Sequence, residues 1–319
     1  MIKWPFRRNR RYWLRLIIFT VLMIIVLALT LPMGLGASTM WLLIHPRCSG
    51  EADKPTVPYQ SISIPTHLGG IYHGYFIPGS KKATVIVPPP YNSNRGGMLP
   101  EASLLAADGF NVLLYESRVC AGQTVTSLGY SEVDDVGDVL AYLNHNADNI
   151  QIDMTRVALH GFSSAGATST MATARYAEIR AVLAEGGYHN IDAQLGIQPS
   201  GDFFLNLIVF GARATYRLST GEDAAVLTPI DSIKRIPPRA IFLVYGTAEI
   251  SLPGAREQLA VVQTVDPGAF VALWEVPGAG HGGYLNAVGP VEYQRHVLPF
   301  YNCALLDSCE AWRALWVKP

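Results

Sequence analysis

Leu159-His160-Gly161-Phe162-Ser163-Ser164-Ala165-Gly166 is the stretch on which the fold turns. The run Arg156-Val157-Ala158-Leu159 leads into it, and a run of small, helix-compatible residues, 165–176, leads out. A strand, a sharp turn and a helix thus follow one another, with Ser163 at the turn. Such a turn lifts a hydroxyl clear of a sheet and sets the N–H groups of a helix N-terminus beside it. Short Gly/Ser turns also occur for packing alone. What decides is whether partners for the serine occur at suitable spacing.

On either side the chain alternates between strands and helices. Residues 59–65 and 71–77 alternate apolar and polar around His67-Leu68-Gly69-Gly70, which predicts an opening hairpin. Residues 83–87 form a short apolar run stopped by Pro88-Pro89-Pro90, as a buried strand would be. A helix over 98–107 stops at Gly109, and 110–115 is the next strand. Val133, Val136, Val139, Leu140 and Leu143 have helical spacing, giving a helix over 131–146. After the serine turn come strands at 180–184, 240–245 and 270–276 and helices at 255–265 and 291–306. This order predicts a mainly parallel sheet with helices on both faces, whose active site lies at the carboxyl ends of the strands. Between Gly187 and Arg239 the alternation breaks. The insertion, 188–238, contains Phe203-Phe204-Leu205-Asn206-Leu207-Ile208-Val209-Phe210 and reads as a small helical cap, or equally as core helix in its Phe-rich part.

The N-terminus reads differently. Residues 1–15 carry Lys3, Arg7, Arg8, Arg10, Arg11 and Arg15 and no acid, whereas residues 16–44 carry no charge. A bilayer core needs about 20 apolar residues in a helix, so residues 16–44 form a transmembrane anchor. The basic flank stays in the cytoplasm and the remainder outside it, in the periplasm for a Gram-negative cell. A cleavable signal ending near Pro32, Gly36 and Ala37 is the competing reading. Residues 45–58 then form a linker and 59–319 the main domain. Removing the six basic residues from the chain's 24 leaves 18 against 25 acidic ones. An acidic domain without a basic run excludes nucleic acid as an expected partner. Cys48, Cys120, Cys303 and Cys309 make no metal pattern. Their even number permits two disulfides outside the cytoplasm, with Cys303 and Cys309 close enough for a short loop, though the sequence does not exclude free thiols.

A nucleophilic serine needs a base, an acid to orient the base and donors for an oxyanion. After the strand at 240–245 comes Gly246-Thr247-Ala248-Glu249-Ile250-Ser251-Leu252-Pro253, and after the strand at 270–276 comes Pro277-Gly278-Ala279-Gly280-His281-Gly282-Gly283-Tyr284. Ser163, Glu249 and His281 stand in the order nucleophile, acid, base. Asp192 is the reserve acid. Tyr115-Glu116-Ser117-Arg118-Val119-Cys120-Ala121-Gly122 and Thr228-Pro229-Ile230-Asp231 complete the set.

Together these segments resemble the α/β-hydrolases, near the membrane-anchored bacterial members of the prolyl-oligopeptidase-like and Bem46-like branches. The resemblance runs from about Tyr59 to about Leu305. It implies an α/β-hydrolase fold and a Ser163–His281–Glu249 triad that cleaves a carboxylic ester through an acyl-enzyme, without metal or cofactor. It also implies an oxyanion hole from the N–H groups of Ser164 and Tyr91. Tyr91 is the candidate because Pro89-Pro90 replace the usual His-Gly and proline has no N–H. Ala165 stands where the motif has Gly, and Glu249 where Asp is common. A peptidase and a non-catalytic binding protein of the same fold are the rivals. A dehalogenase would need a carboxylate in place of Ser163. The anchor and the Phe-rich insertion fit a lipid-like acyl substrate, although packing requires apolar residues too.

Overall fold

The structure is a computed structural model that describes residues 10–198 and 200–316. Most of the basic flank, Lys3, Arg7 and Arg8 included, lies outside the described residues. The chain divides into two compact units, residues 44–196 with 224–319 and residues 1–43 with 197–223.

The larger unit is built on an eight-stranded sheet. Its strands are β1 (Gln60–Pro65), β2 (Ile71–Ile77), β3 (Thr84–Val87), β4 (Asn111–Tyr115), β5 (Val157–Phe162), β6 (Ile179–Glu185), β7 (Ala240–Gly246) and β8 (Val271–Val276). They lie in the order β1-β2-β4-β3-β5-β6-β7-β8. β1, β2 and β4 pair antiparallel, and every pairing from β3/β4 to β7/β8 is parallel. β5 enters the serine turn beside β6, with Leu159 opposite Val182 and Phe162 opposite Glu185.

Successive side chains of a strand point to opposite faces. In β3 to β7 both sets are buried, so the sheet is covered on both sides. One face packs Val85, Leu114, Leu183 and Phe242 against helices Leu99–Ala107, Tyr284–Leu306 and Glu310–Trp316. The other buries Ile86, Leu113, Leu159, Val182 and Ile241. Burying each large apolar side chain contributes about 1.5–3 kcal/mol. The last helix is short, but its Trp312 stacks edge-on to Phe242 at 5.3 Å and is 4% exposed. A Cys303–Cys309 disulfide joins it to the preceding helix, and Cys48–Cys120 forms as well. The helix over 284–306 is kinked at Gly289-Pro290, which is why residues 291–306 alone carry a helical pattern.

Among the described residues the smaller unit holds two helices, Arg10–Ile44 and Phe203–Thr220. The first is long and apolar enough to cross a membrane, and its most apolar window is wholly unburied.

Candidate active site

Ser163 sits between β5 and a helix over Ser164–Arg175. Its backbone is at φ 57°, ψ −125°, a region that costs a non-glycine residue roughly 1–3 kcal/mol. The turn is held because Ser163 N–H donates to Glu185 O at 2.8 Å, while Gly166 and Ala167 N–H groups donate to Ser163 O. Gly161 is required by close approach: a Cβ there would lie 2.1 Å from Ala165 O. Ala165 itself fits, 2% exposed, so a methyl replaces the usual glycine without disturbing the turn.

The structure brings Ser163, His281 and Glu249 into one hydrogen-bonded row. His281 Nε2 is 2.9 Å from Ser163 Oγ, and His281 Nδ1 is 2.7 Å from Glu249 Oε1. His281 comes from the glycine-rich loop after β8, and its side chain is about half exposed. The Phe162 ring lies against it, with centroids 5.0 Å apart. Glu249 lies between β7 and a helix over Leu252–Val265 and is 6% exposed. Asp192 lies instead in the first turn of a short helix, Ile191–Leu195, capped by Asn190.

Four donors converge on Glu249. Oε1 accepts from Ser251 Oγ at 2.6 Å besides meeting His281, and Oε2 accepts from Tyr284 Oη at 2.6 Å and Gly246 N–H at 3.1 Å. Burial raises the cost of ionising this carboxyl, yet the bonds from His281, Ser251, Tyr284 and Gly246 outweigh it and hold its pKa below the ordinary value. The Tyr284 hydroxyl is pushed the other way, by burial and then by its bond to Glu249, so it remains a donor.

Gly186 explains why the row is tightly packed underneath. It follows β6 at φ +57°, and a Cβ there would meet Tyr284 Oη at 2.5 Å, Glu249 Oε1 at 2.9 Å and His281 Nδ1 at 3.1 Å. Only glycine fits both the backbone and the space. Gly186, Ser251 and Tyr284 were not legible as site residues, although Ser251 and Tyr284 stand in the segments read as carrying the acid and the base.

On the other side of Ser163, Tyr91 and Ser164 do come together. The Tyr91 N–H donates to Ser164 Oγ at 2.7 Å, and Tyr91 has φ 27°, a strained value for a bulky residue. The loop carrying Tyr91 is tied to residues 47–51. Ser49 N–H donates to Asn92 O, and Asn94 Nδ2 donates to Gly50 O and Glu51 O. A cavity beside it is lined by Pro88, Tyr91, Ser164, Thr168, Arg118 and Asp135. Arg118, from the loop after β4, binds Asp135 with two 2.7 Å bonds, Nε to Oδ2 and Nη2 to Oδ1. Asp135, on a helix over Glu132–Ile150, has its pKa pushed up to about 6 by burial, against the pull of Arg118.

Nearby, His67, Asp135 and Asp138 bring ligand atoms within 4.8 Å of one another. Each carboxylate already has a donor, since Asp138 meets His67 at 2.8 Å and Asp135 is clasped by Arg118. His160 is buried in β5, 3.5 Å from Glu185, which accepts from Tyr293 Oη.

No family model and no curated protein matches the chain. Solved structures do. The chain is similar to the esterase Pf2001 of Pyrococcus furiosus, at 22% identity and a TM-score of 0.64, over 82% of this chain and 98% of that one. It is similar to the α/β-hydrolase GrgF of Penicillium sp. sh18, at 16% identity and a TM-score of 0.57, over 78% and 100%. It is also similar to a puromycin-hydrolyzing peptidase of Mycobacterium tuberculosis, at 19% identity and a TM-score of 0.59, over 78% of this chain but 39% of that one. The chain has the α/β-hydrolase fold.

Proposed function

We propose that the chain is a serine hydrolase that cleaves a carboxylic ester and is held to a membrane by its N-terminal helix, with the catalytic domain outside the cytoplasm. The observation that carries the reading is the row Ser163 Oγ, His281 Nε2, His281 Nδ1, Glu249 Oε1, with successive contacts of 2.9 and 2.7 Å. The esterase and peptidase activities of similar folds support the same reaction class, hydrolysis.

The steps follow from the geometry. Ser163 Oγ attacks the ester carbonyl while its proton passes to His281 Nε2. Glu249 fixes the tautomer with the proton on Nδ1 and stabilises the imidazolium that forms. Charge on the carbonyl oxygen is met by the Ser164 N–H at the helix N-terminus and by the Tyr91 N–H. In the resting site the Tyr91 N–H is engaged by Ser164 Oγ, so it reaches the oxyanion once that bond opens. The tetrahedral intermediate collapses, the alcohol leaves with the proton from His281, and water releases the acyl group by the same path in reverse. The substrate is a small or lipid-like acyl ester. A fluorophosphonate probe should label the wild-type chain and leave Ser163→Ala unlabelled. Equal labelling of the two would refute the assignment.

A further inference from the structure

The Phe-rich helix of the insertion is packed on the anchor. Gly36 of the anchor helix sits so close to it that a Cβ would lie 1.9 Å from Ile208 O, and a Cβ on Gly211 would lie 2.0 Å from Met33 O. Backbone therefore meets backbone through a glycine on each side, the packing that small residues permit between helices in a membrane. On the insertion helix, Val209, Gly211, Ala212 and Tyr216 are buried. On the anchor, Gly36 and Met40 are buried, one turn apart.

Most of what faces outward near this crossing is apolar, with Ser38, Thr39 and Arg217 among the exposed polar side chains. Leu31, Leu35, Trp41 and Leu42 of the anchor are 53–72% exposed. Phe203 and Phe210, seven residues apart and hence on one face, are each 59% exposed, with Phe204 at 53% and Leu218 at 88%. Exposed aromatic residues at such density have a large cost in water at ~25 cal/mol per Å². The depth of the crossing is set by length. The charge-free run 16–44 is about 43 Å long at 1.5 Å per residue. A hydrocarbon core of ~30 Å starting at Leu16 ends close to Leu35. Met33 and Gly36 thus lie at the boundary between acyl chains and headgroups.

We infer that the helix Phe203–Thr220 is a second membrane-contact element, lying at the outer boundary of the bilayer with Phe203 and Phe210 among the lipid acyl chains. Arg213 and Arg217, in its second half, suit the headgroup level. The inference rests on the membrane-anchored reading above, and the two are separable by experiment. p-Benzoylphenylalanine is placed singly at Leu22, Phe203, Phe210 or Val265 of the full chain, which is reconstituted in phosphatidylcholine/phosphatidylglycerol vesicles and illuminated. Lipid adducts are then read by mass spectrometry. The expected result is lipid adduct at Leu22, Phe203 and Phe210, and loss of it at Val265, an equally exposed apolar residue of the larger unit. Adduct at Leu22 but none above the Val265 level at Phe203 and Phe210, or cross-linking there to a second copy of the chain, overturns the inference alone. No lipid adduct at Leu22 overturns the anchor and this inference with it.

Discussion

Asp135 and Glu249 are both buried carboxylates with a basic nitrogen 2.7 Å away. Asp135 has a permanently charged guanidinium on both oxygens, and its pKa still sits at about 6. Glu249 has an imidazole, and its pKa lies below the ordinary value. Proximity to positive charge is therefore not the deciding quantity. Burial acts on both, but Glu249 receives donors from His281, Ser251, Tyr284 and a backbone N–H, spread over its two oxygens. Solvation lost to burial is replaced by protein dipoles at Glu249, and at Asp135 is replaced chiefly by one partner. The first arrangement suits a carboxylate that must remain charged while a proton moves beside it. The second suits a clasp joining the loop after β4 to the helix Glu132–Ile150.

Glu249→Gln tests the contrast hardest. It leaves the shape intact but neutralises the orienting charge, and esterase activity should fall about 10⁴-fold, the scale known for a neutralised triad acid. Turnover of p-nitrophenyl esters measures it, and a loss under tenfold would place Glu249 outside the reaction. Arg118→Met should act on stability instead, by roughly 3–5 kcal/mol, because it strands a buried carboxylate. That loss should be smaller at pH 5 than at pH 8, since an Asp135 already titrating near 6 escapes by taking a proton. Urea midpoints of the detergent-solubilised chain at both pH values decide this, and equal losses would show that burial does not govern Asp135.

Smaller effects come from thinning the donors. Tyr284→Phe or Ser251→Ala removes one bond to a charged group, and the pKa of the Glu249 carboxyl, followed by NMR of ¹³C-labelled glutamate, should rise by about 1 unit, each unit being 1.36 kcal/mol. An unmoved carboxyl pKa in both variants would mean that the donors are not what keeps Glu249 ionised. The weakest signal is in the pH dependence of stability, where the two carboxylates have opposite signs. Glu249, with a depressed pKa, stabilises above its ordinary value and loses that contribution as pH falls through the folded-state pKa. Asp135, with a raised pKa, binds its proton more tightly when folded, so its contribution is present at low pH and is lost as pH rises toward about 6. Asp135→Asn should flatten the decline in urea midpoint over that interval. A decline of unchanged slope would assign it to another group.

The strands, the serine turn and the positions of Ser163, Glu249 and His281 could all be read ahead of the structure, because each follows an apolar run and a glycine-rich turn. Arg118 was legible as a motif residue but its partner was not. Glu132, Asp134 and Asp135 together read as the acidic first turn of a helix, and nothing local separates the buried one from its solvated neighbours. Gly186 was hidden for another reason. A Gly-Gly pair after a strand reads as a turn, and its necessity appears only once Glu249 and His281, more than 60 residues later, arrive above it. The pairing of the insertion helix with the anchor joins segments some 170 residues apart through glycines that each look like weak points of an apolar helix. The last helix, Glu310–Trp316, was too short to carry a periodic signal.

On the proposed membrane-anchored reading, the Cys48–Cys120 bridge bears on how the protein would leave a membrane. Cys48 stands on the anchor side of the exposed residues around Glu51, and Cys120 stands in the loop after β4 of the sheet unit. A protease that cuts between them, anywhere from Ser49 to Val119, breaks the backbone but not the covalent connection between anchor and sheet. Shedding of the domain by such a cut requires a reductant as a second event, and a nicked chain migrates as one species until it is reduced.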